Sequence, residues 1–220
     1  MANSMAERDR TERMANVIAH EIRNPLAVIN NSIYFVKTKL GSGAEAKVAK
    51  HIGIIEGEVK RANEMIGEML AYARPLEAQA KPVAVRELID SAVALRPAPA
   101  KVKTAVSAPK DARVLADPEA ARLALRKLLD NALDAVGESG SISIQAQAAA
   151  GSVELLVRDS GPGVSAEAAA RLFEPFSSTK PRGLGLGLAT ARKFAERLGG
   201  SVELVERGPG AVFRLRLPSV

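Results

Sequence analysis

The chain has 220 residues, of which 47% are apolar and none is cysteine. This composition excludes a disordered chain, disulfides, thiolate metal centres and cysteine nucleophiles, and it suits a cytoplasmic protein of one or two domains. The net charge of +6 comes from acids and bases that alternate along the whole chain, so we expect no nucleic-acid binding. No apolar run approaches the roughly 18 residues of a membrane span, so we expect no membrane contact of these residues. Membrane anchoring of a longer protein is left open.

Two apolar stripes with three- and four-residue spacing open the chain. The first runs from Met14 to Leu40, and the second runs from Val48 to Met69 and stops before Pro75. The stripes predict a helical hairpin over residues 6–74. Because each helix of a hairpin buries only one face, we expect two chains to pair into a homodimeric four-helix bundle. The alternative is a monomeric hairpin packed on the rest of the chain.

A change of pattern after the hairpin predicts a second domain. Residues 75–82, PLEAQAKP, lose the periodicity and have proline at both ends, which predicts a linker. Residues 83–220 mix strands and helices without strict βαβ alternation, which predicts an α+β two-layer sandwich. The predicted elements are a strand at 83–85, a helix at 86–95, strands at 101–106 and 113–115, a helix from Asp117-Pro118 to Val136, strands at 142–148 and 153–158, helices at 167–172 and 186–198, and a hairpin of 202–205 with 212–217.

The first predicted helix carries a histidine beside an acid, in the segment HEIRNP. His20 and Asn24 are four residues apart and therefore share a helix face. Pro25 removes a helical hydrogen bond at a cost of about 3 kcal/mol, which indicates a local distortion next to the histidine. A neutral imidazole can act as a nucleophile while Glu21 accepts its proton. The alternative is a solvated histidine beside a tolerated kink.

Three segments of the second domain carry groups suited to a nucleotide. Asn131 lies late in a predicted helix and offers an amide oxygen of the kind Mg²⁺ prefers. Asp159 follows a strand and precedes Gly161 and Gly163, so its carboxylate can accept a hydrogen bond from an amino group such as that of adenine. The glycine-rich segment 183–188 leads into a helix, whose N-terminal N–H groups can hold phosphates. Each glycine pattern alone is equally typical of an ordinary loop.

The ordered set of motifs resembles the two-component sensor histidine kinases over nearly the whole chain. HEIRNPL at His20 is similar to their H box, and the segment around Asn131 is similar to their N box. DSGPG at Asp159 is similar to the first glycine box, LFEPFSSTK at Leu172 to the phenylalanine box, and GLGLGLA at Gly183 to the second glycine box. All five motifs stand in the family's order, which makes the resemblance specific.

The resemblance implies a dimerisation and phosphotransfer hairpin followed by a Bergerat-type ATP-binding sandwich. It implies an ATP-dependent protein-histidine kinase with His20 as phosphoacceptor and Glu21 as proton acceptor. Asn131 would be the Mg²⁺ ligand and Asp159 the adenine-binding acid. The phosphoryl group would pass to an aspartate on the receiver domain of a response regulator. Asn24 implies a second activity, since an asparagine at this place orients water for dephosphorylating that partner.

The same boxes imply further residues of the ATP site. They are Lys127, Asp134, Gly161, Gly163, Phe176, Thr179, Lys180, Gly183, Gly185, Leu186, Gly187 and Leu188. The lid over ATP is short, and we expect Lys180 or Arg182 to contact phosphate. The alternative is an exposed basic loop, which is favoured slightly for Arg182. Lys127 is a departure, because most family members have asparagine there. The lysine either meets phosphate as a point charge or blocks the metal and leaves a scaffold that binds nucleotide poorly.

Two rival functions share parts of this pattern. A gyrase-like or mismatch-repair-like ATPase would use the nucleotide boxes without forming phosphohistidine. HEIRNPL argues against it, and so does Lys127, because those ATPases place a general-base glutamate at that position. A non-catalytic dimeric adaptor would form the hairpin dimer without turnover. The intact nucleotide boxes argue against that second rival.

Overall fold

The computed structural model describes residues 19, 22–24, 26–41, 46–74, 79–178, 180 and 183–220. Two compact units divide the chain, with the boundary between Pro75 and Leu76. Residues 75–78 of the predicted linker lie outside the described residues. Within the described part of the chain, no helix is both long enough and apolar enough to cross a bilayer.

The first unit is built from two helices, α1 at residues 26–40 and α2 at Ala46–Ala73. Four large apolar side chains on these helices are buried: Ile33, Ile52, Val59 and Ile66. The three on α2 are seven residues apart, the spacing that keeps side chains on the face turned toward a partner helix. The helical region expected from the apolar stripes is therefore present.

A second set of apolar side chains on this unit is exposed. Its large members are Ile22, Val28, Ile29, Tyr34, Phe35, Val36, Leu40, Val48, Ile54, Ile55 and Met65. An apolar surface of this extent is typical of a protein interface. The homodimeric bundle stays a prediction, and this surface supports it. Lys37 Nζ and Glu56 Oε1, 2.9 Å apart, form an ion pair that links α1 to α2.

The second unit is an α+β two-layer sandwich, as the sequence predicts. Its elements are β1 (Lys81–Ala84), α3 (Val85–Ala94), β2 (Lys101–Ser107), β3 (Arg113–Ala116), α4 (Pro118–Val136), β4 (Ser139–Ala149), β5 (Ser152–Asp159), α5 (Ala166–Ala170), α6 (Gly187–Arg197), β6 (Ser201–Glu206) and β7 (Val212–Pro218). One layer is a five-stranded sheet in the order β2-β4-β5-β7-β6, parallel between β2 and β4 and antiparallel elsewhere. Helices α3, α4 and α6 close the core, and β1 pairs with β3 in a small separate sheet.

Helix α4 supplies one wall of the candidate site, and local sequence fixes both of its ends. Asp117 caps it by accepting a hydrogen bond from the N–H of Ala120 at 2.9 Å, and Pro118 is the first helical residue. Gly137, with φ +63°, ends the helix. The buried leucines of α4 are Leu125, Leu128, Leu129 and Leu133. Their burial fixes which face of α4 is turned away from the core.

The start of the second unit differs slightly from the prediction. Strand β1 begins at Lys81, inside the predicted linker, and Val85 belongs to α3 rather than to the strand. Lys81 precedes Pro82, and a residue before proline favours extended backbone, so pairing with β3 begins there. The Val85 N–H donates to the carbonyl oxygen of Ala112 at 3.0 Å, which satisfies a group that the helix itself leaves unpaired.

Candidate functional site

Asp159 ends β5 with its carboxylate in the interior. The strand alternates, so Asp159 shares the inward face with Val153, Leu155 and Val157, and it is only 4% exposed. Its Oδ1 accepts hydrogen bonds from the N–H of Gly161 at 2.8 Å and of Ala211 at 3.3 Å. Its Oδ2 is buried and has no partner among the described residues. A buried oxygen without a hydrogen-bond partner lowers the stability of the fold. This atom is therefore a candidate acceptor for a donor group of a ligand.

The turn after Asp159 requires glycine at two positions. A Cβ on Gly161 would lie 2.8 Å from the Cβ of Ala135 on α4 and 2.9 Å from Oδ1 of Asp159. Gly163 has φ +82°, and a Cβ there would lie 2.0 Å from the carbonyl oxygen of Gly208. The turn therefore packs closely against both α4 and the loop between β6 and β7. This packing holds the Asp159 carboxylate in place.

Asn131 and Asp134 lie one turn apart on α4, and both accept a hydrogen bond from the same lysine side chain. The ammonium group of Lys180 donates to Oδ1 of Asn131 at 3.2 Å and to Oδ2 of Asp134 at 3.0 Å. Asn131 is half-buried, and Lys180 and Asp134 are exposed. The structure thus brings together three residues that the sequence assigns to one site, although Lys180 is 49 residues away from Asn131.

Two residues that the sequence analysis missed extend this cluster. Arg96, in the loop after α3, donates to Oδ1 of Asp134 at 3.0 Å and to Oδ1 of Asp130 at 3.3 Å. Although partial burial opposes the charge, the hydrogen bonds that Arg96 donates to Asp134 and Asp130 raise the pKa of its guanidinium. Arg96 lies outside the five boxes, whereas Asp130 directly precedes Asn131 in the segment similar to the N box. The spacing of Asp130 and Asp134 by four on one helix was the available signal.

The second glycine segment forms the turn into α6. Gly185 has φ +71°, and a Cβ there would lie 2.7 Å from backbone atoms of Ser177. A Cβ on Gly183 would lie 2.7 Å from the hydroxyl oxygen of Ser178. Gly187 is the first residue of α6, and a Cβ there would meet no atom of the described residues within 4 Å. The segment therefore packs tightly at its start and leaves open space at the helix N-terminus, where an anion is favoured.

Two leucines of this segment are not surface groups. Leu186 is fully buried and its carbonyl oxygen accepts from the Thr190 N–H at 2.8 Å and from the Thr190 hydroxyl at 2.7 Å. Leu188 is half-buried against the core. Both assigned residues can therefore serve a ligand through backbone atoms, while their side chains anchor α6.

Phe176 has a backbone conformation that is uncommon for a residue with a side chain. Its φ is +63° and its side chain is 68% exposed. Such a conformation costs energy and is found often at functional sites. The neighbouring assigned residue Thr179 lies outside the described residues.

The remaining assigned residues are Lys127, Asn24, His20 and Glu21. Lys127 is half-buried on α4, one turn before Asn131. Asn24 is helical and exposed. The predicted phosphoacceptor His20 and its proton acceptor Glu21 lie outside the described residues, as does Pro25 with its predicted kink.

These residues fit a nucleotide with its metal ion better than a metal ion alone. No cluster of three His, Asp or Glu side chains suited to a metal is found in the described parts of the chain. Mg²⁺ commonly takes one or two protein oxygens and completes its shell with phosphates and water. Three features match a nucleotide that carries its metal ion: one amide oxygen at Asn131, an unpaired carboxylate oxygen at Asp159 and an open helix N-terminus at Gly187.

Two family models match the chain in separate regions. Residues 10–77 match the His Kinase A (phospho-acceptor) domain. Residues 116–220 match the histidine kinase-, DNA gyrase B- and HSP90-like ATPase family. The two matches follow the order expected from the resemblance of the motifs.

Similar proteins and structures agree with the family models. The C4-dicarboxylate transport sensor protein DctB of Rhizobium meliloti (strain 1021) is 34% identical over 212 residues, which cover 93% of this chain and 34% of DctB. The sensor histidine kinase ZraS of Escherichia coli (strain K12) is 30% identical, with 93% of this chain and 45% of ZraS covered. The chain thus spans less than half the length of these curated relatives.

One similar solved structure covers nearly the whole chain. Full-length ShkA in complex with AMPPNP has a TM-score of 0.75 and 26% identity, over 94% of this chain and 46% of ShkA. With two successive family models, a sensor histidine kinase among the curated relatives and this structural match, the chain belongs to the two-component sensor histidine kinase family.

Proposed function

We propose that the chain is a histidine kinase catalytic core that phosphorylates His20 from ATP. A ring nitrogen of His20 forms a bond to the γ-phosphorus while the bond from that phosphorus to the β–γ bridging oxygen breaks, which releases ADP. The proton on the other ring nitrogen passes to the carboxylate of Glu21. Phosphoryl transfer of this kind depends mainly on positioning and on stabilising charge.

The unpaired Oδ2 of Asp159 is the observation that carries the nucleotide assignment. We assign it to the exocyclic amino group of adenine, which can donate a hydrogen bond to it. A carbonyl oxygen at the same place on the base has no hydrogen and could not donate a hydrogen bond to the carboxylate oxygen. ATP should therefore bind more tightly than ITP, in which a carbonyl replaces the amino group.

We assign the metal to Asn131, because its amide oxygen is an oxygen ligand on the helix face turned away from the core. Mg²⁺, when bound, neutralises phosphate charge. The N–H groups at the start of α6 hold phosphate oxygens in this proposal, and Gly185 and Gly187 let the backbone approach them. Asp134 orients Lys180, and Lys180 and Lys127 add positive charge for phosphates.

The partner we propose is the receiver domain of a response regulator. One histidine kinase with a similar structure, ThkA, has been solved in complex with the response regulator protein TrrA, with a TM-score of 0.70 and 28% identity. The phosphoryl group leaves the imidazole of His20 for an aspartate carboxylate of the receiver. We assign Asn24, which is exposed and lies four residues from His20, to orienting water for hydrolysis of the phosphoryl group on that partner. The exposed apolar face of the first unit supports a homodimer.

The two rival functions are not favoured. A gyrase-like ATPase does not account for the match of residues 10–77 to a phospho-acceptor domain. A non-catalytic adaptor does not account for a buried carboxylate oxygen kept unpaired at the nucleotide site. An isolated buried acceptor destabilises a protein that makes no use of it.

Radiolabelled ATP tests the proposal. The full chain, given γ-³²P-ATP and Mg²⁺, should gain acid-labile label that moves to an added receiver domain, and α-³²P-ATP should give no label. His20→Ala should lose the label, while His51→Ala serves as the matched control and keeps it. Label of equal strength in the His20→Ala protein would contradict the assignment.

A further inference from the structure

The ammonium group of Lys180 occupies the acceptor atom that the proposed function assigns to Mg²⁺. It lies 3.2 Å from Oδ1 of Asn131, and the amide nitrogen of Asn131 is a donor that cannot bind a metal. A magnesium ion on the same oxygen would stand about 2.1 Å from it. Two cations on one oxygen repel each other at such short range.

Asp134 holds the ammonium group in place. Its Oδ2 accepts from Lys180 at 3.0 Å while its Oδ1 accepts from Arg96 at 3.0 Å, so each carboxylate oxygen has a cationic partner. Arg96 also contacts Asp130, which carries a second ion pair with Arg126. The carboxylates around Asn131 are therefore already neutralised by the protein's own cations, and little negative charge remains to attract a free divalent ion.

We propose that Lys180 is an intramolecular substitute for Mg²⁺ that keeps the metal position closed until nucleotide arrives. This inference rests on the proposed assignment of Asn131. The phosphates of ATP offer the ammonium group charged acceptors, which are stronger than the neutral amide oxygen of Asn131. Displacement of Lys180 thus couples metal binding to nucleotide binding, so the metal enters with ATP rather than ahead of it.

Binding of Mn²⁺ to the nucleotide-free full chain tests the inference without any measurement of catalysis. Electron paramagnetic resonance of free Mn²⁺ should show weak binding to the wild type and at least tenfold tighter binding to Lys180→Met. Lys180→Arg keeps the charge and should behave as the wild type. Lys110→Met, which removes an exposed lysine between β2 and β3, is the matched control and should also leave binding unchanged.

A double variant ties the gain to the proposed oxygen. Asn131→Ala combined with Lys180→Met should lose the tighter Mn²⁺ binding, and thermal unfolding should show that each variant is folded. Unchanged Mn²⁺ affinity in folded Lys180→Met, or a gain that survives in the double variant, would overturn the inference. ATP binding by the wild type separates the two claims. If ATP·Mg²⁺ does not bind, the proposed function fails. If ATP binds but Lys180→Met leaves the metal affinity unchanged, only the role of Lys180 as a substitute for Mg²⁺ is overturned.

Discussion

Asp159 stands opposite Ile142 in the antiparallel register of β5 and β4, and both side chains are buried. The pairing places a carboxylate in a row that is otherwise apolar. If the register shifted by one residue, Asp159 and the other residues on the same face of β5 would point to solvent. The sheet register therefore fixes the acceptor that we assign to adenine.

Replacement of Asp159 by Asn should weaken ATP binding by about tenfold to a hundredfold, because a hydrogen bond to a charged acceptor contributes roughly 1.5–3 kcal/mol. Isothermal titration with ATP measures the change. Asp111→Asn, at an exposed carboxylate in the turn between β2 and β3, is the control and should bind ATP as the wild type does. An unchanged affinity in Asp159→Asn would remove Asp159 from the nucleotide site.

Gly185 and Gly187 should respond differently to alanine. Gly185→Ala forces a Cβ against the backbone of Ser177 at a positive φ, so both the free energy of unfolding and ATP affinity should fall, the former by about 1–3 kcal/mol. Gly187→Ala meets open space, so its stability should be kept while ATP affinity falls about tenfold, because the methyl group stands where phosphate approaches. Thermal unfolding and titration separate the two effects. Equal ATP affinity for Gly187→Ala and wild type would argue against phosphate binding at this helix end.

Arg126 should be a structural residue of the second unit. It is 6% exposed, donates to the Ala92 carbonyl oxygen at 2.9 Å and pairs with Asp130. Arg126→Ala should lower the free energy of unfolding by about 2–3 kcal/mol, since it leaves a buried carbonyl and a partly buried carboxylate short of a partner.

Arg86 offers a matched comparison for Arg126, because it pairs with Asp90 at the same four-residue spacing but on the exposed face of α3. Exposed ion pairs contribute little to stability, so Arg86→Ala should unfold in denaturant at the same midpoint as the wild type. A similar loss in both variants would show that burial of Arg126 is not the cause.

Lys127→Asn tests the residue at which the chain departs from its family. If the lysine serves phosphate as a point charge, its loss should weaken ATP·Mg²⁺ binding about fivefold, which corresponds to roughly 1 kcal/mol. Titration with ATP in Mg²⁺ measures this. A large gain in affinity would instead mean that Lys127 obstructs the metal and that the natural chain binds nucleotide poorly.

Local signals in the sequence predicted much of the second unit. Asp117 and Pro118 mark the start of α4, because capping depends on a few adjacent residues, and the predicted end at Val136 agrees with the structure. The place of Asp159 after a strand was also readable, because strand alternation decides which face it joins. The α+β class followed from the order of these elements.

Long-range contacts were not predictable in the same way. Lys180 meets Asn131 across 49 residues, and Arg96 meets Asp134 across 38, so no spacing rule connects them. The parallel pairing of β2 with β4 likewise arises from packing of the whole unit. The positive φ of Phe176 had no sequence signal, since the residue type disfavours it.

Localisation of the phosphoryl group by mass spectrometry tests the central claim most directly. The full chain contains two histidines, His20 and His51, and His51 lies exposed on α2. After incubation with ATP and Mg²⁺ and digestion at neutral to basic pH, the added phosphate should be found on His20 and absent from His51. Phosphate on His51 alone, or no phosphohistidine in a protein that binds ATP, would contradict the account.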